Sequence, residues 1–189
     1  WAKLDVQWGL KVWRADGTTT NIFDPSVEQI SHPMPIGRAI NVMMICYRLD
    51  ENPVWKQLIE DMISRSLELT IDKGDYGFIP VGFFEPYAKI DINAQVPQGT
   101  YGAESHARLI QAPSNYYKLT GYQPARTLAE KIVNCVRFHG SHFGKDGAFI
   151  DEGGGGHPLF HGNTCALLSM TDYAVATGDK DVVDFVKRG

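Results

Sequence analysis

Shifted by 70 residues against itself, the sequence places Leu49, Leu58, Gly74 and Gly77 on Leu119, Leu128, Gly144 and Gly147, with Ile63 opposite Val133. A shift of 57 superposes Tyr116, Thr120 and Gly121 on Tyr173, Thr177 and Gly178. A supersecondary unit that recurs cannot bury its apolar face alone and must stack on its neighbours, so a repeat decides the architecture before any local propensity does. Each unit reads as a helix, a tight turn, a second helix and a longer connection: 36–49 with 53–71, 103–119 with 123–140, and 162–177 with 180 onward. Three αα-hairpins follow one another.

The two helices of a hairpin differ in polarity. "AINVMMICY" and "ALLSMTDYAVA" are apolar nearly all round, whereas the second helices carry a charged face: Val54, Trp55, Leu58, Ile59, Met62, Ile63 and Leu67 at helical spacing, with Lys56, Glu60, Asp61 and Arg65 opposite. The first helices are therefore expected to be inner and the second outer. Pro113 is expected to kink the middle inner helix or shorten its first turn. Turns within hairpins are short ("DENP", "TGYQP", "TGDKD"), while the connections between hairpins, 74–102 and 141–161, are long and should all emerge at one end. They concentrate aromatics, among them Tyr76, Phe83, Phe84, Tyr87 and Tyr101 in the first and Phe143, Phe149 and Phe160 in the second. Long connections inside a compact domain are usually functional or disordered, and aromatic content argues against disorder.

These features predict an all-α fold whose αα-hairpin repeats, residues 36–189, form about half of an (α/α)6 toroid. Residues 1–35 form a lead-in of different character: Leu4, Val6, Trp8, Leu10 and Val12 alternate with polar residues as in a half-buried strand, and Asp16-Gly17 supplies a turn. Three hairpins with no polar capping surface lead us to expect that the natural protein continues beyond Gly189. Half a toroid would expose the flanks of its inner helices, which self-association or the remainder of the chain is expected to cover.

Composition narrows the partners. A net charge of -4, with Lys and Arg scattered, lacks the basic footprint of nucleic-acid binding. No apolar run approaches the ~18 residues that span a bilayer. Cys46, Cys135 and Cys165 each lie inside an apolar helical pattern and read as buried small hydrophobes rather than a disulfide or metal framework. A neutral or polar small substrate fits this chain best.

The long connections and the helices they feed hold the candidate chemistry. Paired carboxylates flanking a sugar ring are the usual equipment for glycosidic cleavage, and flat aromatics beside them suit stacking on sugar faces. Glu104 and His106, in "TYGAESHAR", stand where the aromatic connection enters an inner helix and are the catalytic candidates. A Glu in a first turn also serves the helix dipole with no function needed. Substrate-binding candidates are Tyr76, Glu85, Tyr87, Tyr101, Asp151, Glu152, His157 and His161. The stretch "DEGGGGHPLFHG" lacks the Lys-Ser or Lys-Thr of a phosphate loop. Its His157 and His161 are denied a shared helix face by Pro158, and no cysteine or third histidine has ligand spacing, so neither a metal nor a cofactor is expected. Glycines that permit close backbone approach to a ligand are the preferred reading of this loop, a flexible loop end the bland one.

The segments "GAESHARLIQAPSNYYKLTGYQPARTLAEKIVNCVRFHG" and "FHGNTCALLSMTDYAVATGDKDVVDFVKRG" resemble the six-hairpin glycosidases, and within them the β-L-arabinofuranosidase-like glycoside hydrolases and their uncharacterised relatives. The resemblance covers residues 36–189. It implies a carbohydrate site at one mouth of an (α/α)6 toroid and hydrolysis of an oligosaccharide derived from a plant or bacterial polysaccharide. It also implies that polar residues at inner-helix starts, matched here by His106 and His161, contact the sugar, while the family's zinc-held cysteine and its glutamate lie in later hairpins. Two alternatives stay open: a sugar epimerase or polysaccharide lyase on the same scaffold, with histidines as acid and base, and a non-enzymatic helical-repeat module that binds a peptide or glycan.

Overall fold

The computed structural model describes residues 11–13, 19–21, 33–79, 93–96, 100–150 and 160–189. Its elements are β1 (Lys11–Trp13), β2 (Thr19–Asn21), α1 (Pro33–Asp50), α2 (Pro53–Leu69), β3 (Ile71–Asp72), β4 (Gly77–Phe78), α3 (Thr100–Thr120), α4 (Gln123–Phe138), α5 (Phe160–Thr177) and α6 (Lys180–Val186). Apart from two antiparallel two-stranded ribbons, β1 with β2 and β3 with β4, the described chain is helical. The all-α expectation holds. In the lead-in, Lys11, Val12 and Trp13 pair with Asn21, Thr20 and Thr19, a register that brackets Asp16-Gly17, while residues 1–10 lie outside the described residues.

The helices pair as the repeat requires, α1 with α2, α3 with α4 and α5 with α6, and the first helices of the pairs also pack on one another, α3 lying between α1 and α5. All three tight turns have one design. Two residues separate the helices, and the first of each pair has a left-handed backbone: Glu51 (φ 54°), Gly121 (φ 74°) and Gly178 (φ 75°). The amides of these residues still donate to the carbonyls of Tyr47, Tyr117 and Ala174. The next residue is the N-cap of the outer helix; Asn52 and Asp179 fill this position by accepting from Val54 N–H and Val182 N–H at 3.0 Å.

Contacts between the inner helices reproduce the repeat shifts. A methyl group at Gly37 would lie 2.3 Å from the carbonyl oxygen of Arg108, an offset close to the 70-residue shift. Asn115 Nδ2 reaches Asp172 Oδ2 at 3.4 Å, the 57-residue shift itself. Equivalent positions therefore face each other, so α1, α3 and α5 run parallel and in register. Pro113 does not shorten α3, which runs unbroken from Thr100 to Thr120.

One apolar core joins all six helices, with Ile36, Ile40, Ile59, Ile63, Leu109, Ile110, Leu128 and Phe185 fully enclosed. The outer helices bury one face in it. The inner helices are covered by the outer row and by one another, and their remaining side is open: Val42, Ile45 and Leu49 of α1, Leu119 of α3, and Leu168 and Val175 of α5 are between 46% and 80% exposed. The all-round apolar character of the inner helices thus includes a face that is open in this structure.

Each described connection docks on the outer helix of the hairpin that follows it. The β3–β4 ribbon lies on α4, where Lys131 Nζ donates to Asp72 Oδ1 (2.7 Å) and Gly74 O (3.0 Å), and Asn134 to Asp75 O (2.8 Å). Residues 143–149 form a second small ribbon, with Phe143 bridged to Phe149, and rest on α6 through Phe185. The left-handed glycines of the two ribbons are Gly74 (φ 95°) and Gly147 (φ 93°). The sequence alignment instead pairs Gly74 with Gly144, so the ribbons are equivalent in shape and offset by a few residues in the alignment. A turn needs a left-handed residue somewhere in its loop, and that requirement tolerates small insertions.

The close approach at Gly37 and the turn geometry give opposite expectations. Gly37→Ala must push α1 off the α3 backbone and should lower stability by ~1–3 kcal/mol. Glu51→Gly relieves the one non-glycine left-handed residue in the described chain and should raise it by ~1 kcal/mol. Denaturant midpoints of both variants against the parent check this, and an unchanged Gly37→Ala midpoint would contradict the helix contact.

Burial also fixes the response to alkali. The Cys135 thiol is pushed from 9.0 up to about 12 by burial. Tyr173 rises from 10.0 to about 12, chiefly by burial and then by the nearby Glu130 and Asp179 charges. The Tyr116 phenol, which donates to Glu60 Oε1 at 3.0 Å, is held above its ordinary value by burial and by that carboxylate. In the unfolded chain these groups ionise from about pH 9 to 10, whereas the native state keeps their protons to higher pH. Their stabilisation is therefore complete below pH 9 and declines as the pH climbs toward 12. The urea midpoint should be level from pH 7 to 8.5 and fall steadily above pH 9.5; a midpoint constant to pH 11 would show these groups to be unburied.

Candidate functional site

Parallel inner helices bring their N-terminal ends together at the end where both long connections arrive. Near the start of α3, Glu104 Oε1 stands 3.8 Å from Nε2 of His161, the second residue of α5. The pair is open to solvent, His161 at 71% and Glu104 at 27% exposure. The helix starts at Thr100, three residues earlier than periodicity suggests, and its first turn holds no acid. Glu104 lies beyond that turn, where the helix dipole has largely faded and no longer accounts for a carboxylate.

His161 Nε2 has a second neighbour, Cys165 Sγ at 3.7 Å. One helical turn separates the two residues, which puts both on one face of α5. Helical periodicity predicts Cys46, Cys135 and Cys165 as buried hydrophobes, but only Cys135 is enclosed, and Cys46 and Cys165 are partly buried. The signal for the contact was present as the four-residue spacing from His161 to Cys165 inside a helix. Both neighbours converge on the same ring nitrogen, the thiol within the longer hydrogen-bond distance of sulfur and the carboxylate just beyond hydrogen-bond reach, and no group of three or more His, Cys, Asp or Glu suited to a metal ion occurs among the described residues.

Beside the pair, Ser105 Oγ and Asn163 Oδ1 are buried with no hydrogen-bond partner among the described residues.

His106 takes a different position from its neighbour Glu104. It is buried at 2% exposure, and its Nε2 accepts from the Ile79 amide at 3.2 Å. A ring nitrogen that accepts a hydrogen bond carries no proton, so this contact selects the Nδ1–H tautomer and leaves Nε2 occupied. His106 ties the first connection to α3 and shares the wall of a small cavity with Cys135, Gly140 and the buried His142. Tyr76 lies on the outer row, its ring stacked on His139 with centroids 3.6 Å apart. The structure thus brings Glu104 and His161 together and gives His106 and Tyr76 partners elsewhere. Glu85, Tyr87, Asp151, Glu152 and His157 lie outside the described residues, as does the side chain of Tyr101.

South of this end, the solvent side of α3 is a continuous polar stripe at alternating four- and three-residue steps: Glu104, Arg108, Gln111, Asn115 and Lys118. Arg108 donates to Gln111 Oε1 at 2.8 Å, and Gln111 Nε2 to Asp172 Oδ2 of α5 at 2.8 Å, so the stripe is held in a fixed arrangement. Among the described helices, none is long and apolar enough to cross a membrane. No protein-family model matches the chain, and no curated protein or solved structure is significantly similar to it.

The hydrogen bond of His106 makes its substitution a structural test. His106→Ala strands the Ile79 amide in a buried site and should cost ~1–3 kcal/mol. His106→Gln, which can return an acceptor, should recover part of that loss. Equal melting temperatures for His106→Ala and the parent would show that the contact carries no stability.

Proposed function

We propose that this chain is part of a carbohydrate-active enzyme, a glycoside hydrolase built on an α/α toroid of which these hairpins make up about half. The observation that carries the reading is the solvent-open Glu104–His161 pair, presented by two parallel inner helices at the end that receives the long connections. Parallel inner helices packed side by side, with outer helices behind them, are the arrangement a toroid is made of. The motif resemblance to the six-hairpin glycosidases points the same way.

In this reading Glu104 supplies one of the two carboxylates that glycoside hydrolysis requires, protonating the leaving oxygen as general acid. His161 orients the sugar and the carboxylate, with Cys165 against its ring. The sequence offers Glu85, Asp151 and Glu152 in the two long connections as sources of the second carboxylate. His106 is then a positioning residue, since it acts through the connection it anchors rather than on the sugar. The carbohydrate partner is neutral or acidic and approaches the open inner face.

A second reading, a non-enzymatic binding module, is favoured by the exposed apolar residues Val42, Ile45, Leu168 and Val175 on that same face, because such a surface fits a protein partner. The two readings separate on activity. Glu104→Gln should lower turnover of the cleaved member of an aryl-glycoside panel by ~10²–10⁴-fold, the usual contribution of general acid catalysis. His161→Ala should lower it by a smaller factor. Turnover that both variants leave untouched would place the site elsewhere, and binding of a protein partner without turnover of any glycoside would favour the module.

A further inference from the structure

A groove of about 600 Å³ lies between the C-terminal halves of α1 and α3, away from the Glu104–His161 pair. Its volume falls within the range of ligand sites. Two cations, Arg48 and Lys118, border it, and three carboxamides, Asn41, Gln111 and Asn115, line its wall. Met44, Ile45 and Leu119 give it apolar patches. Among the described residues lining it there is no carboxylate, although the chain as a whole is acidic at net -4. A local concentration of positive charge in an acidic protein selects for anions. Asp172 of α5 is not among the lining residues, and its Oδ2 accepts from both Gln111 and Asn115 of the wall.

The groove and the Glu104–His161 pair are joined by the polar stripe of α3. From Glu104 to Lys118 is fourteen residues of helix, or ~21 Å at 1.5 Å per residue. That distance suits an extended chain of several sugar units. The two cations, the Asn41 carboxamide and the small apolar patches are groups that recognise carboxylates, hydroxyls and the faces of sugar rings.

We propose that the groove is a remote subsite for an acidic oligosaccharide, which lies along α3 with a carboxylate-bearing sugar held by Arg48 and Lys118 and its other end at Glu104 and His161. The inference rests on the carbohydrate reading above and adds the charge of the ligand and its direction. Both cations are exposed, so their substitution should leave the fold intact.

Isothermal titration of the chain with a short oligogalacturonate, and with a neutral galacto-oligosaccharide of equal length, tests it. The acidic oligomer should bind more tightly, and raised salt should weaken it. Arg48→Ala with Lys118→Ala should reduce its affinity ~10-fold or more, since charge-assisted hydrogen bonds are lost, and leave the neutral oligomer unaffected. Arg48→Lys with Lys118→Arg should bind as the parent does. An acidic preference that survives the double alanine variant would overturn the proposal. Equal binding of both oligomers would overturn the groove assignment and leave the carbohydrate reading standing. Binding of neither would sink both, and displacement of the acidic oligomer by an equal concentration of citrate would show recognition of charge without sugar, which also overturns it.

Discussion

The parallel packing of α1, α3 and α5 is the constraint on which the rest of the structure depends. It requires the backbones of α1 and α3 to approach closely, which is why Gly37 lies against the Arg108 carbonyl with no room for a side chain. Once the inner helices share a direction, their starts gather at one end and the connections must return there. The outer helices are left to cover the opposite side, and the amphipathic α4, with Leu128, Ile132 and Val136 buried, does so with one face. The pairing of Glu104 with His161 follows from the same register, since neither residue could meet the other if the helices alternated in direction.

The architecture was legible because it is written in spacing. The tight turns recur with their left-handed residue, and Tyr116, Thr120 and Gly121 predict the behaviour of Tyr173, Thr177 and Gly178. Helix boundaries came out within a few residues, since Pro53, Pro124 and the cap residues Asn52 and Asp179 punctuate the chain locally. Less legible was the equivalence of the glycines in the two ribbons. A turn constrains backbone angle more tightly than residue number, so an alignment by identity pairs the wrong glycine.

The candidate site was legible by address and less so by role. Glu104 and His161 could be placed at inner-helix starts from the repeat alone. His106, two residues from Glu104, could not be separated from it by sequence, because a helix turns ~100° per residue and two residues send side chains to different sides. One side faces solvent and the other faces the Ile79 amide. Tyr76 read as a free aromatic in a long connection, yet that connection folds into a ribbon on α4 and the ring stacks on His139. The His161–Cys165 contact needed only helical spacing to be seen. It was obscured because the apolar neighbours of Cys165 gave the residue a sufficient explanation as core.

The two ribbons that clip onto the following outer helix have a thermodynamic consequence. Lys131 and Asn134 of the second hairpin hold a connection that begins in the first, and Phe185 of the third holds one that begins in the second. A hairpin that opened would therefore strip its neighbour of a docking surface as well as its own core. In a linear array, where stability is a sum of unit and interface contributions, such clasps shift weight from the units to the interfaces. The clasps thereby strengthen the coupling between neighbouring hairpins, so that damage at either end of the row should be felt along it.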